Sequence, residues 1–353
     1  MSRRKATAHS HAYRVEAIPP LPEPAKERRW GGSACLPFGN YAHINPVQWL
    51  ADDAEQVQAY EANQDGFPPE DWWWDDQGMR FLSNKLGLMA LLMVVPFLWI
   101  GLIFLGTLWL YLEVFFFIGT LELPGLVVAT LAVTAAFGWI ALLCFLGIQT
   151  TQPVMNSLGR VLRPFEKSLG KRLDDALEDG LSEFNRQTGM VRLAQGKGKH
   201  FEAPFVEFDA YIDRVVQKGG IFYQLVLRHR YTGKLFTKLS FNRLAANISE
   251  IHAVWDMLQR YMDVSQPLPD VPFLEPFRDQ DQVTAEHDRA KGRDPRYWRD
   301  LDLDNWKNET LPELARQERD YPWDRKRCQL TPQLGRVDWE TYQQQHPRSL
   351  ATE

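Results

Sequence analysis

Residues 86–112 read LGLMALLMVVPFLWIGLIFLGTLWLYL, and residues 123–148 read LPGLVVATLAVTAAFGWIALLCFLGI; neither stretch holds a charged residue. About 20 apolar residues cross a hydrocarbon core as a helix, so both runs are long enough. The mean hydropathy of the whole chain is only -0.35, so the apolar residues are concentrated in these two runs. The reading is a two-helix transmembrane hairpin, with helix 1 over 86–112, a short external turn over 113–124 and helix 2 over 125–148. Pro96, Gly101 and Gly106 are tolerable there because neighbouring helices re-satisfy irregular backbone. Ala129, Ala132, Ala135 and Ala136 form a patch of small side chains that lets two helices approach.

The flanking charges orient this hairpin. Arg80 and Lys85 precede it, and Arg160, Arg163, Lys167, Lys171 and Arg172 follow, whereas the turn carries only Glu113 and Glu122. Basic residues stay on the cytoplasmic side, so both termini are expected in the cytoplasm and the short turn outside. A helix of about 20 residues ends before Glu113, which places that acid at the outer interface. The N-terminal residues have no apolar run behind their basic start, unlike a secretory signal. A net charge of -5 leaves no electrostatic footprint for nucleic acid. Cys35, Cys144 and Cys328 are odd in number and far apart, which argues against a disulfide framework or a zinc site.

The cytosolic N-terminal segment, 1–85, ends in EDWWWDDQGMRFLSNK. Tryptophan favours membrane interfaces, as Trp99, Trp109, Tyr111 and Trp139 in the hairpin could. Trp72, Trp73 and Trp74 are instead fenced by Asp71, Asp75 and Asp76, which anionic lipid repels. They are read as candidate docking residues that plug into the cytosolic domain, with the acids facing water.

After the hairpin, apolar residues at helical spacing from Leu158 to Leu177 predict an amphipathic linker helix over 149–180, bent at Pro164. The period then changes. Alternating segments and turn residues from "SEFNRQTGMVRLA" to "YTGKLFTKLSF" predict about six antiparallel strands. NISEIHAVWDMLQRYM, 247–262, closes them as a helix with Ile248, Ile251, Val254, Trp255, Leu258 and Tyr261 on one face, and Trp255 as the plug of the sheet. Asn247 or Ser249 is the expected N-cap. The fold class is thus an α+β membrane protein: a transmembrane hairpin plus an antiparallel-sheet module over 181–265 capped by a C-terminal helix. The segment 266–353 is expected as an extended charged tail wrapping that module through Trp298, Trp306, Trp323 and Trp339, with the last dozen residues loose.

A meander closed by one amphipathic helix is similar to pleckstrin-homology-like domains. The phrases FNRQTGMV, LSFNR, VWDMLQRYMD and EPFRDQDQVTAEHDRAKGRDPRYWRDLDLD resemble an uncharacterised family of bacterial two-span membrane proteins, often encoded beside type VI secretion genes. The likeness covers roughly residues 70–305. It implies a non-enzymatic binding protein whose partners are the membrane and a type VI effector or secretion component, as an immunity or accessory factor. A membrane-surface regulator that senses lipid is the alternative, and an enzyme or toxin with an unrecognised site is another.

Motifs for chemistry are weak, and no catalytic, cofactor-binding or metal-binding residues are assigned. DLDLDNWKNETL, from Asp300, lacks the glycine and the bidentate glutamate of a calcium loop. GGSAC, 31–35, puts Cys35 where a nucleophile elbow needs glycine. SLGKRL, 168–173, lacks the upstream glycine of a phosphate loop. His200 and His229 read as structural histidines in strands, and His9 and His11 as adventitious metal binders in a mobile tail.

Overall fold

The computed structural model describes residues 9–24, 28–30, 33–62, 74–82, 85–121, 123–162, 181–196, 199–218, 220–237 and 244–345. The chain divides into two compact units, Asn84–Glu178 and the combination of Met1–Ser83 with Asp179–Glu353.

The first unit is a helical hairpin of α2, Lys85–Gly119, and α3, Gly125–Leu162. Within them Leu98–Gly119 and Gly125–Thr150 are long and apolar enough to cross a membrane, with mean hydropathies of 2.0 and 2.3. Leu105, Trp109, Phe116, Leu126, Phe137 and Ile148 are exposed. Keeping such side chains in water costs roughly 1.5–3 kcal/mol each, a cost that hydrocarbon surroundings remove. On α3 the half-buried positions Val128, Ala132, Ala135, Trp139, Leu143 and Leu146 recur in steps of three and four, the spacing of a two-helix seam. Ala129 of the expected small-residue patch faces outward, one step off this seam.

Two hydrogen bonds cross the seam. Trp99 Nε1 donates to Thr150 Oγ1 at 2.9 Å, and Trp139 Nε1 donates to Thr107 Oγ1 at 3.0 Å. Tyr111 stacks on Trp139 at 4.8 Å. Trp99 and Trp139 therefore tie helix to helix, whereas the sequence reading placed them in an interfacial belt; an indole N–H in an apolar setting seeks the nearest acceptor. The apolar part of α3 ends at Thr150, and the helix continues to Leu162, within the stretch expected as a linker helix. The rest of the linker, with Pro164, lies outside the described residues.

The second unit is α+β. Its N-terminal part holds a small hairpin of β1, Arg29–Trp30, and β2, Ser33–Ala34, then α1, Val47–Ala62, and β3, Gly78–Leu82. After the helical hairpin come β4, Leu181–Asn185, β5, Met190–Gly196, and β6, Lys199–Pro204. These join β3 in a four-stranded antiparallel sheet of order β3-β4-β5-β6. A three-stranded sheet follows from β7, Phe208–Gln217, β8, Gly220–His229, and β9, Leu235–Phe236. The six expected strands between 181 and 241 are present; β3 was not anticipated.

Register aligns the apolar positions. Met79 pairs with Phe184, Phe184 with Val191, and Val191 with Ala203, so one buried row crosses four strands. Ala210, Leu227 and Phe236 make the corresponding row of the second sheet. A one-residue slip would turn each row to solvent.

Helix α4, Ile248–Met262, follows the strands. The sequence suggested one apolar face, yet Asp256, Gln259, Arg260 and Asp263 on its polar side are buried as well, while Ile248 at its start is exposed. The reason is tertiary: N-terminal and C-terminal segments cover the side that a free-standing module would expose. The tail is not merely extended either. It forms α5, Gln282–Lys291, α6, Leu303–Asp320, and α7, Trp339–Gln345. Asp281 caps α5 by accepting from Thr284 N at 3.0 Å, and Gly292 closes it in the left-handed conformation. Trp298, Trp306 and Trp323 are buried, and Trp339 packs half-buried at the rim. Residues 346–353 lie outside the described residues.

Candidate functional site

Of the residues picked out for docking, Trp255 lies in α4 and Trp74 just before β3. Trp255 is 2% exposed, lies edge-on to Phe38 at 5.6 Å and contacts Phe205 at 5.7 Å. Its Nε1 donates to the Pro37 carbonyl at 2.9 Å, so the ring joins the sheet to the N-terminal segment. Trp74 packs against Trp49 of α1, Phe81 of β3 and Phe273 of the tail, at 6.4, 5.4 and 5.7 Å. Trp72 and Trp73 lie outside the described residues.

The acids beside Trp74 do not face water as expected; Asp75 and Asp76 are 3% and 5% exposed. Asp75 Oδ1 accepts from the backbone N–H groups of Gln77 and Gly78, at 2.7 and 2.8 Å, and thereby shapes the turn into β3. Its backbone carbonyl receives the Tyr261 hydroxyl of α4 at 2.9 Å. A buried carboxylate supplied with N–H donors is stable where an unpaired one is not.

The polar side of α4 holds the N-terminal segment in place. Gly39 N donates to Gln259 Oε1 at 2.6 Å, Ala42 N donates to Asp256, and Tyr41 OH donates to Asp263 Oδ2 at 2.7 Å. Arg260 reaches both Asp256 and Asn45, at 2.9 and 2.6 Å. His43 takes a left-handed corner, with φ 56°, between these contacts.

Arg186, in the β4–β5 turn of FNRQTGMV, is wholly buried. Its Nη1 donates to the carbonyls of Arg260, Tyr261 and Asp263, and Nη2 donates to that of Gln266 at 2.7 Å. A guanidinium thus caps the C-terminus of α4, where carbonyls lack helical partners and the helix dipole favours a cation. The sequence signalled the turn but not the cap, because the acceptors are about 75 residues downstream.

A second buried polar group joins N-terminal segment, sheet and tail. Asp209 accepts from Arg230 at 2.8 Å and from Arg28 at 2.7 Å. Burial alone would raise its carboxyl pKa, but the Arg230 and Arg28 cations outweigh that and hold it below the ordinary range. Beside it, Glu207 meets His229 Nε2 and the Tyr342 hydroxyl, each at 2.8 Å. Thr232 Oγ1 lies 2.9 Å from His229 Nδ1, but the same nitrogen also accepts from the Thr232 backbone N–H, as in a closed turn. This hydroxyl–imidazole–carboxylate row ties the β8–β9 turn to α7.

The weak motifs resolve into local structure. Asp302 is the N-cap of α6, accepting from Asn305 N at 3.1 Å, while Asp300 pairs with Arg296. His200 lies against Arg192 at 3.3 Å. Residues 33 and 34 of GGSAC are β2, and burial pushes the Cys35 thiol up to about 11. SLGKRL lies outside the described residues. His9 is no mobile tail residue; its N–H donates to the Gln187 carbonyl at 2.9 Å. Among the described residues, no group of three or more His, Cys, Asp or Glu side chains is placed to hold a metal.

No protein-family profile, no curated protein and no solved structure matches this chain.

Proposed function

We propose that this chain is a non-enzymatic inner-membrane protein of bacteria. In this reading a cytoplasmic pleckstrin-homology-like module is held at the bilayer by a hairpin inserted between its first and second strands. The observation that carries it is topological: a four-stranded meander, a three-stranded meander and one helix, in that order, with α2 and α3 between β3 and β4. Such a module serves as a platform for a partner. The buried ionic groups described above support a binding role, since they are engaged in holding segments together. The phrases that resemble the secretion-linked family suggest a type VI effector or secretion component as that partner, with this chain as immunity or accessory factor.

Two measurements test this. Cysteine labelling of intact cells from outside should reach position 120 and neither position 30 nor position 340; a labelled terminus overturns the orientation. Where a secreted toxin is encoded beside this chain, co-expression of the two should protect growth, and undiminished killing overturns the immunity role.

The lipid-sensing alternative is favoured by one observation. The tip of the β7–β8 hairpin exposes Val216 and Ile221, a cross-strand pair, with Arg214 and Lys218 alongside. Apolar residues ringed by cations suit an anionic bilayer surface. Salt-sensitive binding of the hairpin-free unit to phosphatidylserine vesicles, lost on Ile221→Ser, would support that reading; no binding removes it.

A further inference from the structure

Residues 9–14 run across the β4–β5 turn and are held there by backbone contacts. The N–H of His9 donates to the Gln187 carbonyl at 2.9 Å, and the Tyr13 carbonyl accepts from Val264 N at 3.1 Å. Gly189 makes this approach possible. A Cβ on it would stand 2.8 Å from the His11 carbonyl oxygen and 2.9 Å from Tyr13 N. Between this segment, the turn, Pro204–Val206 and the end of α7 lies a groove of about 450 Å³, within the range of small-molecule sites.

Its walls are asymmetric in chemistry. Met190, Pro204, Val206, Ala17 and Pro19 give an apolar side. Among the described residues that line it, His9, His11 and Arg14 bring nitrogen donors, and none is a carboxylate. Arg14 is half-buried, and among the described residues its side chain makes one long hydrogen bond, 3.4 Å, from Nη1 to the Ala12 carbonyl. Elsewhere in this unit Arg28, Arg186, Arg230, Arg260 and Arg293 each reach a carboxylate. A guanidinium drawn partly out of water gains most from an anion that meets its planar fork of donors.

We infer that this groove binds a small organic anion, a carboxylate or phosphate head at Arg14 with an apolar body against Met190, Pro204 and Val206. The volume fits a ring or a short chain rather than a bare ion. His9 and His11, exposed residues of the same lining, can add ring nitrogens to the head.

The test uses the full chain in phosphatidylcholine nanodiscs, which offer no anionic lipid as competitor. Fluorine NMR line broadening would report binding of para-fluorobenzoate and para-fluorophenyl phosphate. Saturable broadening is expected, weakened about tenfold or more by Arg14→Gln, in line with loss of a hydrogen-bonded charge. Neutral para-fluorotoluene should not compete, and inorganic phosphate should compete much more weakly than the aryl phosphate. The Arg14→Gln chain should melt as the parent does, because the Arg14 side chain makes no ion pair among the described residues. No saturable broadening, or broadening unchanged in Arg14→Gln, overturns the site. Equal competition by inorganic phosphate overturns the apolar half of the claim and with it the ligand class. Binding seen only after removal of residues 346–353 would mean that the chain's own C-terminus is the occupant, which also overturns it.

Discussion

Leu82 stands directly opposite Leu181 in the antiparallel β3–β4 ladder, so the chain leaves this sheet for the apolar helical hairpin and re-enters it at neighbouring residues. The pairing makes the α+β unit discontinuous in sequence and continuous in space.

Because register partners in such a ladder are only about 5 Å apart, a tight turn can replace the hairpin. Joining Leu82 to Leu181 through Asn-Gly should give a soluble protein with one cooperative thermal transition. Aggregation, or a broad transition of the kind shown by loosely packed states, would count against the pairing.

Arg186→Met removes a buried cation that satisfies several carbonyls at the end of α4. Stripping a buried group of its charge and hydrogen bonds should cost on the order of 3–5 kcal/mol. Arg186→Lys should not restore stability, since an ammonium has three donors on one atom and cannot span those carbonyls. Denaturant titration of the hairpin-free form measures both; full rescue by lysine would show that charge alone matters.

Trp255→Ala should destabilise by about 3–5 kcal/mol through the cavity it leaves. Trp255→Phe keeps most of the packing and loses the bond to the Pro37 carbonyl, a change of about 1 kcal/mol. In the alanine variant, limited proteolysis should cut within residues 33–62 sooner than elsewhere, since that segment is bound to α4. Unchanged proteolysis would separate the ring from the N-terminal segment.

His252 stacks on Trp323 at 5.2 Å with the rings 12° from parallel, and burial lowers its pKa to about 4. The unfolded chain therefore takes up a proton at higher pH than the folded one. Stability should be full above pH 6.5 and fall as pH drops from there towards 4, the sign expected for an imidazole kept neutral. His252→Phe should flatten the melting temperature over this window. An identical acid slope in parent and variant would place the titration elsewhere.

Local features were legible in the residues alone. The charge-free runs announced the hairpin because helix length and hydropathy are properties of contiguous sequence, and the alternation from Leu181 to Phe236 announced the six strands for the same reason. Trp74 and Trp255 could be singled out because large rings beside acids or on a helical face rarely stay in water. Asp75 and Asp76 were misjudged as solvent-facing, since nothing nearby in sequence reveals the N–H donors and the packing that bury them.

What the sequence by itself determined is the apolar hairpin, the antiparallel module after it and the amphipathic α4. What only the tertiary structure decided is the seventh strand, β3, together with the burial of the polar side of α4 and the partners of Arg186 and Asp209. Each of these depends on groups far apart in the chain. Strand pairing and the neutralisation of buried charge are set by which backbone and side-chain groups meet when the chain closes, and no local periodicity encodes that meeting.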